Sequence, residues 1–450
     1  MDLKPHQVEG IAWLKERPTA LLADSPRAGK TAQLLLASEG RTLAIVPAHL
    51  VGTWEREHTL WRADLDLTIV PYSSLAMRAP NEQGHMRKSA PVPKPEYRGF
   101  DTVLCDEAHA LKNIKAKWTE AVKMLRPPRL YLATGTPIPN WASELLSLLR
   151  LLYPGDRRFT NRRAWEEFWF QIETPPINPR TGKLAWGNEF TRTIGDLRED
   201  RTWEEFWFDN GLDGPEGRML QREVELGVPF TEETIEVDMT AAQKKVYNKL
   251  AKDYVAWTEG NEEISAWSDG GLHAKLMQVS TGLELLVENE KASGKFDVLS
   301  QLLDDAPRSP TLVFAHYRES AQIAYDLARS KGLRAGLIRG GVSYAERTEI
   351  ENQFRDKELD VVIGTLDTVA IGLNLANACT EIFLEHGWSP WVNDQAIKRA
   401  FEFGKKEHVH VIHLYTKKTV DIGQRKLVAN KSSHQVKGLK AREMRGIIYG

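Results

Sequence analysis

Short, unbroken apolar runs recur along the first third of the chain, each bounded by Gly, Pro or Asp and separated by stretches of helical periodicity. The runs Ala20–Ala23, Thr42–Val46, Leu67–Val70, Thr102–Cys105 and Leu130–Ala133 carry no polar alternation. Such strands are buried on both faces, which predicts a parallel sheet covered by helices. Between them Thr31–Ala37, Leu50–Glu57 and Ala142–Leu152 place apolar residues on one helical face. The same texture returns later in Thr311–Ala315, Arg334–Ile338, Asp360–Ile363, Glu381–Leu384 and Val409–Leu414, with helices over Ser320–Ser330, Ala345–Phe354 and Gln395–Phe401. The pattern predicts an α/β protein with two tandem parallel-sheet lobes flanking a different middle region.

That middle, residues 156–293, reads as helix-rich and is rich in tryptophan. The hexapeptide Trp165-Glu166-Glu167-Phe168-Trp169-Phe170 recurs as Trp203-Glu204-Glu205-Phe206-Trp207-Phe208. In each copy Trp, Phe and Trp fall at i, i+3 and i+4 of one helix face. Two helices packing through matched aromatic faces are expected, with an aromatic surface for bases or a partner as the alternative. Pro175, Pro176 and Pro179 with Gly182 mark a loop between the copies.

A length of 450 residues suggests two or three domains. The formal net charge of -2 gives no support to nucleic-acid binding, so any basic surface has to be local. Basic candidates are the Pro-rich stretch Gly84–Gly99 and the tail after Asp421. Cys105 and Cys379 sit in apolar runs without metal-ligand spacing and read as buried thiols in a reducing compartment. His408, His410 and His413 alternate along one strand without zinc spacing. No long apolar stretch marks a signal peptide or membrane span, and a cytoplasmic, monomeric protein is expected.

The chemistry concentrates at two strand ends. Residues Ala23 to Thr31 follow a strand and open a helix, the context of a phosphate-binding loop. Gly29 lets the backbone close on phosphate oxygens, with Arg27 and Ala28 beside it. The helix start offers free N–H groups, Lys30 supplies charge to the β and γ phosphates, and the Thr31 hydroxyl can ligate Mg²⁺. Asp24 occupies the place of the first glycine of the usual pattern. Downstream, the strand Thr102–Cys105 delivers Asp106 and Glu107, followed by Ala108 and His109. Asp106 can hold Mg²⁺ through water, and Glu107 can polarise the attacking water. ATP and Mg²⁺ are the implied cofactors.

The Asp-Glu-Ala-His box, extended by Ala110-Leu111-Lys112-Asn113, resembles the Swi/Snf-like ATPases of helicase superfamily two, in a compact bacterial or phage type. Other segments follow in the family's order. The segment Leu3 to Leu14 resembles the glutamine motif, which implies that Gln7 reads adenine. Pro47 with Trp54 and Glu57 resembles motif Ia. Tyr72 and Ser73 lie in the next backbone-contacting motif, and Thr134-Gly135-Thr136 through Asn140 resembles the coupling motif. In the second lobe Ser293-Gly294-Lys295-Phe296 resembles the entry segment. Arg339 precedes a Glu346-Arg347 pair, Thr365 and Gly372 lie at motif V, and Gln395 and Arg399 lie in motif VI. The resemblance implies RecA-like lobes over 1–155 and 294–420, a middle insertion over 156–293 and a basic tail over 421–450. It assigns Asp106, Glu107, Lys30 and Arg399 to catalysis. The residues Gln7, Asp24, Arg27, Ala28, Gly29, Lys30, Thr31, Gly372 and Arg399 go to the nucleotide. Thr31 and Asp106 go to the metal. Pro47, Tyr72, Ser73, Lys112, Asn113, Thr134, Gly135, Thr136, Arg339, Thr365 and Gln395 go to coupling and the DNA backbone.

The family's motif VI carries a second arginine three positions after the first, and here that position is Glu402. A carboxylate there repels phosphate. Asp367 stands where a basic residue is common in motif V, and Arg27 replaces a glycine beside the nucleotide. The expected activity is that of a DNA-dependent ATPase translocating on double-stranded DNA, with reduced or partner-dependent hydrolysis. A strand-separating or annealing helicase acting on single-stranded or forked DNA, and an ATP-switched clamp that recruits a protein partner, are the alternatives.

Overall fold

The computed structural model describes residues 3–78, 91–138, 142–173, 193–257, 263–266, 269–287, 293–369, 373, 375–402, 404–426 and 428–429. The chain forms two compact units that meet in sequence between Val224 and Glu225.

The first unit holds the strands Thr19–Leu22 (β1), Thr42–Val46 (β2), Leu67–Pro71 (β3), Thr102–Cys105 (β4), Arg129–Ala133 (β5) and Met219–Leu220 (β6) in the order β6-β1-β5-β4-β2-β3, every pairing parallel. Alternate residues feed two cores. Leu21, Leu43, Ile45, Val103, Cys105, Leu130 and Leu132 face one, while Ala20, Leu22, Ala44, Val46, Leu104, Tyr131 and Ala133 face the other. Burial on both faces is why these runs carry no polar alternation. The helices Pro5–Lys15 (α1), Lys30–Ala37 (α2) and Val51–Trp61 (α3) send Leu14, Leu34, Leu35 and Trp54 into the second of these cores.

The second unit repeats the plan with Phe230–Val237 (β7), Thr311–Ala315 (β8), Ala335–Ile338 (β9), Val361–Thr365 (β10), Thr380–Phe383 (β11) and Val409–Thr416 (β12) in the order β7-β12-β11-β8-β10-β9, again all parallel. Leu312, Phe314 and Val411 pack on one face, and Val313, Ala315 and Ile412 on the other. Beneath this sheet Lys295 and Asp421 form a 2.7 Å ion pair, each side chain about 1% exposed. The Lys295 ammonium also donates to the Leu384 carbonyl, and the Asp421 carboxylate accepts from the Thr416 amide.

The middle region differs from its sequence reading. It is divided between the two units, and each sheet takes an edge strand from it, β6 for the first and β7 for the second. It is also less helical than expected, with antiparallel pairs Phe170–Glu173/Thr193–Leu197 and Val255–Trp257/Glu263–Ser265. The β7 strand was hidden because it is an exposed edge carrying Glu232, Glu233 and Glu236, charges that discourage pairing with another chain.

The hexapeptide repeat does form two helices, Arg162–Trp169 and Trp203–Asp209, that pack through aromatic faces. The Phe206 ring lies 5.9 Å from Trp165 and 5.2 Å from Trp169, both tilted or edge-on, and the Trp165 indole donates to Asn210 Oδ1 at 2.8 Å. The copies are not equivalent. Phe206 is fully buried, while its counterpart Phe168 is 45% exposed and lies under the Arg201 guanidinium. The proline-marked loop between the copies, residues 84–90 of the basic stretch and most of the C-terminal tail lie outside the described residues. Among the described residues, no helix is long and apolar enough to cross a membrane and no group of three or more His, Cys, Asp or Glu could hold a metal ion.

Candidate nucleotide site

The phosphate loop spans the turn from β1 to α2. Gly29 adopts φ +72°, a left-handed conformation, and a Cβ there would lie 2.1 Å from the Gln7 amide nitrogen. The backbone conformation favours glycine, and any side chain there would also push the Gln7 amide off the loop. Gln7 and its neighbour His6, both on α1, reach the Ala28 carbonyl at 3.4 and 3.0 Å. The glutamine-motif helix is thus docked on the loop. The Lys30 ammonium donates to the carbonyls of Asp24 at 2.8 Å and Ser25 at 3.0 Å. Thr31 follows at the start of α2, half-buried. Arg27 keeps the left-handed backbone, φ 68°, of the glycine it replaces. For a side-chain-bearing residue that costs on the order of 1–2 kcal/mol.

Asp24 does not face a nucleotide as expected. Its carboxylate is fully buried and takes a bidentate bond from Arg222, Nε to Oδ1 at 3.0 Å and Nη2 to Oδ2 at 2.6 Å. Gln33 bridges the pair, donating to Asp24 Oδ2 at 3.3 Å and accepting from Arg222 at 3.1 Å. Sequence reading missed Arg222, since 198 residues separate it from Asp24 and no local pattern links them.

At the end of β4, Asp106 is buried, with Oδ1 accepting from the Glu107 amide at 2.9 Å and Oδ2 from the Trp54 indole at 2.8 Å. Burial, then the neighbouring Glu107 charge, pushes its pKa up to about 6, against the pull of Trp54 and Lys30. The strands β1 and β4 run parallel on either side of β5, so the phosphate loop after β1 and the acidic pair after β4 leave the same edge of the sheet. Glu107 adopts the left-handed region, φ 47° and ψ 50°. Such strain in a non-glycine residue at a reacting centre needs a rigid surround, here β4 and the short helix Ala108–Lys112. The Glu107 carboxylate lies 3.1 Å from His109 Nδ1, and that nitrogen lies 3.3 Å from the Thr134 hydroxyl. The Thr134 hydroxyl in turn accepts from the Thr136 amide at 3.2 Å, across Gly135. One imidazole nitrogen therefore lies within reach of both the acidic box and the Thr-Gly-Thr segment, and its single hydrogen-bonding position can serve either.

Other residues assigned to coupling or the track fall in three kinds of place. Tyr72 is buried, and its hydroxyl donates to the Asp106 carbonyl at 2.8 Å, so it braces the site instead of meeting a track. Its neighbour Ser73 is exposed, and Pro47 leads into the short helix before α3. Lys112 lies 3.5 Å from Glu144, and Asn113 caps a turn by accepting from the Lys115 amide.

In the second unit, Arg399 donates to Gln395 Oε1 at 2.9 Å and to the Leu373 carbonyl at 3.1 Å. Gln395 itself is buried, so a track contact through its side chain is replaced by this internal bond. Thr365 is buried too, its hydroxyl 2.7 Å from that of Thr368. Arg339 is half-buried at the end of β9, and Glu402 is exposed. Asp367 is also exposed. Gly372 and Asn140 lie outside the described residues.

A parallel sheet with a phosphate loop and an acidic pair at two strand ends, followed in the chain by a second parallel sheet, defines a two-lobed helicase-type ATPase. Comparison with known families agrees: residues 6–293 match the SNF2-related domain and residues 294–404 the helicase conserved C-terminal domain. The chain belongs to the Swi/Snf-like ATPases of helicase superfamily two. It is 26% identical to the nuclear protein STH1/NPS1 of Saccharomyces cerevisiae, over 93% of this chain and 33% of that protein. It is 24% identical to the DNA repair and recombination protein RAD54B of Mus musculus, over 93% of this chain and 54% of that one. It is 26% identical to the ATP-dependent DNA helicase DDM1 of Arabidopsis thaliana, over 93% and 60%. The chain thus spans a third to three-fifths of the length of these relatives. A solved Sulfolobus solfataricus SWI2/SNF2 ATPase core in complex with dsDNA aligns over 99% of this chain and 96% of that one, at 20% identity and a TM-score of 0.39.

Proposed function

We propose that this protein is a Mg²⁺-dependent, DNA-stimulated ATPase that translocates on double-stranded DNA. The observation that carries the reading is that the phosphate loop with Lys30 and the acidic pair Asp106 and Glu107 leave one edge of a parallel sheet, with His109 Nδ1 within reach of both Glu107 and Thr134. The residues suit their tasks. Gly29 and the backbone amides at the start of α2 cradle phosphate oxygens, and Lys30, held by two loop carbonyls, exchanges them for phosphate. Thr31 and Asp106 fit a magnesium ion: Asp106 is a buried carboxylate beside a second carboxylate, Glu107, and burial and that neighbour hold its pKa above the ordinary value, so a cation there would be stabilising. Magnesium would neutralise developing phosphate charge there. Glu107, held in a fixed backbone conformation, orients and deprotonates the attacking water.

Movement follows from coupling. The Thr134–Thr136 segment feels a change at Glu107 through His109, and Tyr72 and Trp54 connect the elements after β3 and β2 to Asp106. Contacts to phosphates position such elements without reading sequence. The relatives include an ATP-dependent DNA helicase and a DNA repair and recombination protein, which supports DNA as the track. Trp165, Trp169 and Trp207 are buried and Trp203 half-buried, which argues against their use as a base-stacking surface for single strands.

One feature favours a second reading, an ATP-switched DNA clamp with weak hydrolysis: an exposed Glu402 stands where an arginine was expected. Steady-state ATP hydrolysis compared on duplex DNA, single-stranded DNA and RNA at one salt concentration separates the two. Translocation requires turnover stimulated most by duplex and displacement of a triplex-forming strand. Tight ATP and DNA binding with negligible turnover selects the clamp, and stimulation by RNA alone removes DNA from the proposal.

A further inference from the structure

We infer that Arg222 is a positioning residue of the nucleotide site, and that through it the phosphate loop governs the segment leading into the second unit. The inference rests on the nucleotide reading above.

Asp24 has no exposure to water, so its charge depends on protein partners. Those partners are Arg222, bidentate, and Gln33, which bonds both members of the pair. The Arg222 guanidinium also donates to the His6 carbonyl on α1. A Cβ at Gly10 would lie 1.9 Å from Gln33 Oε1 and 2.7 Å from Arg222 Nη2, so α1 presses directly on this network. The carbonyl of the same Asp24 holds the Lys30 ammonium. One residue therefore carries the anchor on its side chain and the catalytic lysine on its backbone.

The pairing does not stop at the anchor. Met219 and Leu220 pair in register with Leu21 and Leu22. Beyond the strand, the Ala23 amide donates to the Leu220 carbonyl at 2.7 Å and the Ser25 amide to the Arg222 carbonyl at 3.0 Å. The Val224 amide then donates to the Ser25 hydroxyl at 3.0 Å. A parallel ladder thus continues from the sheet into the phosphate loop itself, and its last rung is the residue before the second unit begins. When phosphate draws Lys30 off the Asp24 and Ser25 carbonyls, the loop backbone that shifts is the one bonded to Arg222 and Val224. The state of the nucleotide is so passed to the segment that enters the second unit, within the first unit and along hydrogen bonds.

The test uses the full chain. Binding of a fluorescent (methylanthraniloyl) ATP analogue with Mg²⁺ is measured for wild type, Arg222→Lys and Arg222→Gln, with thermal melting as the folding control. Hydrogen exchange is followed in peptides covering residues 219–226 with and without nucleotide. The expected result is weakening by about 10-fold or more for Arg222→Gln in a folded protein, as for loss of a supporting shell. Nucleotide should slow exchange at Val224 in wild type and not in the variant. Unchanged affinity and unchanged nucleotide-dependent exchange in Arg222→Gln overturn the inference alone. A wild type that binds no nucleotide overturns the site reading as well. If Arg222→Gln fails to fold, Ser25→Ala decides: it keeps the ion pair and removes only the acceptor of the Val224 amide. Loss of nucleotide-dependent exchange there supports the latch, and its retention refutes it.

Discussion

The Trp54 indole donates to Asp106 Oδ2 at 2.8 Å, so a side chain 52 residues upstream fixes the rotamer of the carboxylate expected to face magnesium. Phenylalanine at position 54 keeps most of the ring and removes the donor. A buried acceptor left without its partner costs about 1–3 kcal/mol. Trp54→Phe should lower the unfolding midpoint accordingly and raise the Mg²⁺ concentration needed for half-maximal ATP hydrolysis. A denaturant melt and a Mg²⁺ titration check both, and an unchanged Mg²⁺ requirement would leave the indole a packing role only.

The acidity of Asp106 gives a pH dependence with a definite sign. Its folded value, about 6, lies above its ordinary one near 3.8. The folded state therefore holds the proton more tightly than the unfolded chain, and Asp106 by itself makes the metal-free protein less stable as pH rises from about 4 to 6. Magnesium needs the ionised form. Mg²⁺-supported nucleotide binding should fall as pH drops through about 6, and the Trp54→Phe variant should lose it at higher pH. Calorimetric titration of Mg·ATP between pH 5 and 8 would show the inflection.

Arg399 stands at the first position of the motif VI arginine pair that the family resemblance points to, and Glu402 at the second. Arg399→Ala should reduce turnover by about 10³-fold, the lower end of what an arginine finger contributes. Glu402→Arg should raise turnover above wild type by removing a repulsive carboxylate and restoring a donor. A steady-state assay with duplex DNA reads both, and a fall on Glu402→Arg would show that the glutamate has its own task.

Lys295 and Asp421 are buried together, so removing one strands the other. Lys295→Met should destabilise the second unit by about 3–5 kcal/mol, and the double change Lys295→Met with Asp421→Leu should recover most of that loss. Chemical unfolding of Lys295→Met, Asp421→Leu and the double variant decides it, since a merely additive double variant would mean the two charges act independently.

Strands were legible where both faces are covered, because an unbroken apolar run such as Thr42–Val46 has few other homes. β7 was not, since an edge strand written Phe-Thr-Glu-Glu-Thr-Ile-Glu-Val has no apolar face to betray it. The phosphate loop and acidic box were visible because their chemistry needs residues close in sequence. The supports were not visible: Arg222 reaches Asp24 and Trp54 reaches Asp106 only after the chain has folded. The same limit explains Tyr72, Thr365 and Gln395. Their motifs point to a track, yet their side chains are spent on internal bonds, and motif position alone does not tell which way a side chain turns.

The ladder that ends at Val224 also bears on the order in which the chain comes to life on the ribosome. Asp24 emerges 198 residues before Arg222. At 5–20 residues per second that interval is roughly 10–40 s. Through it the nascent sheet lacks its β6 edge and the aspartate its counter-ion, so the phosphate loop reaches its final shape only when the polypeptide is half made. The nascent first unit would then remain unable to hold ATP until the chain has begun to spell out the second.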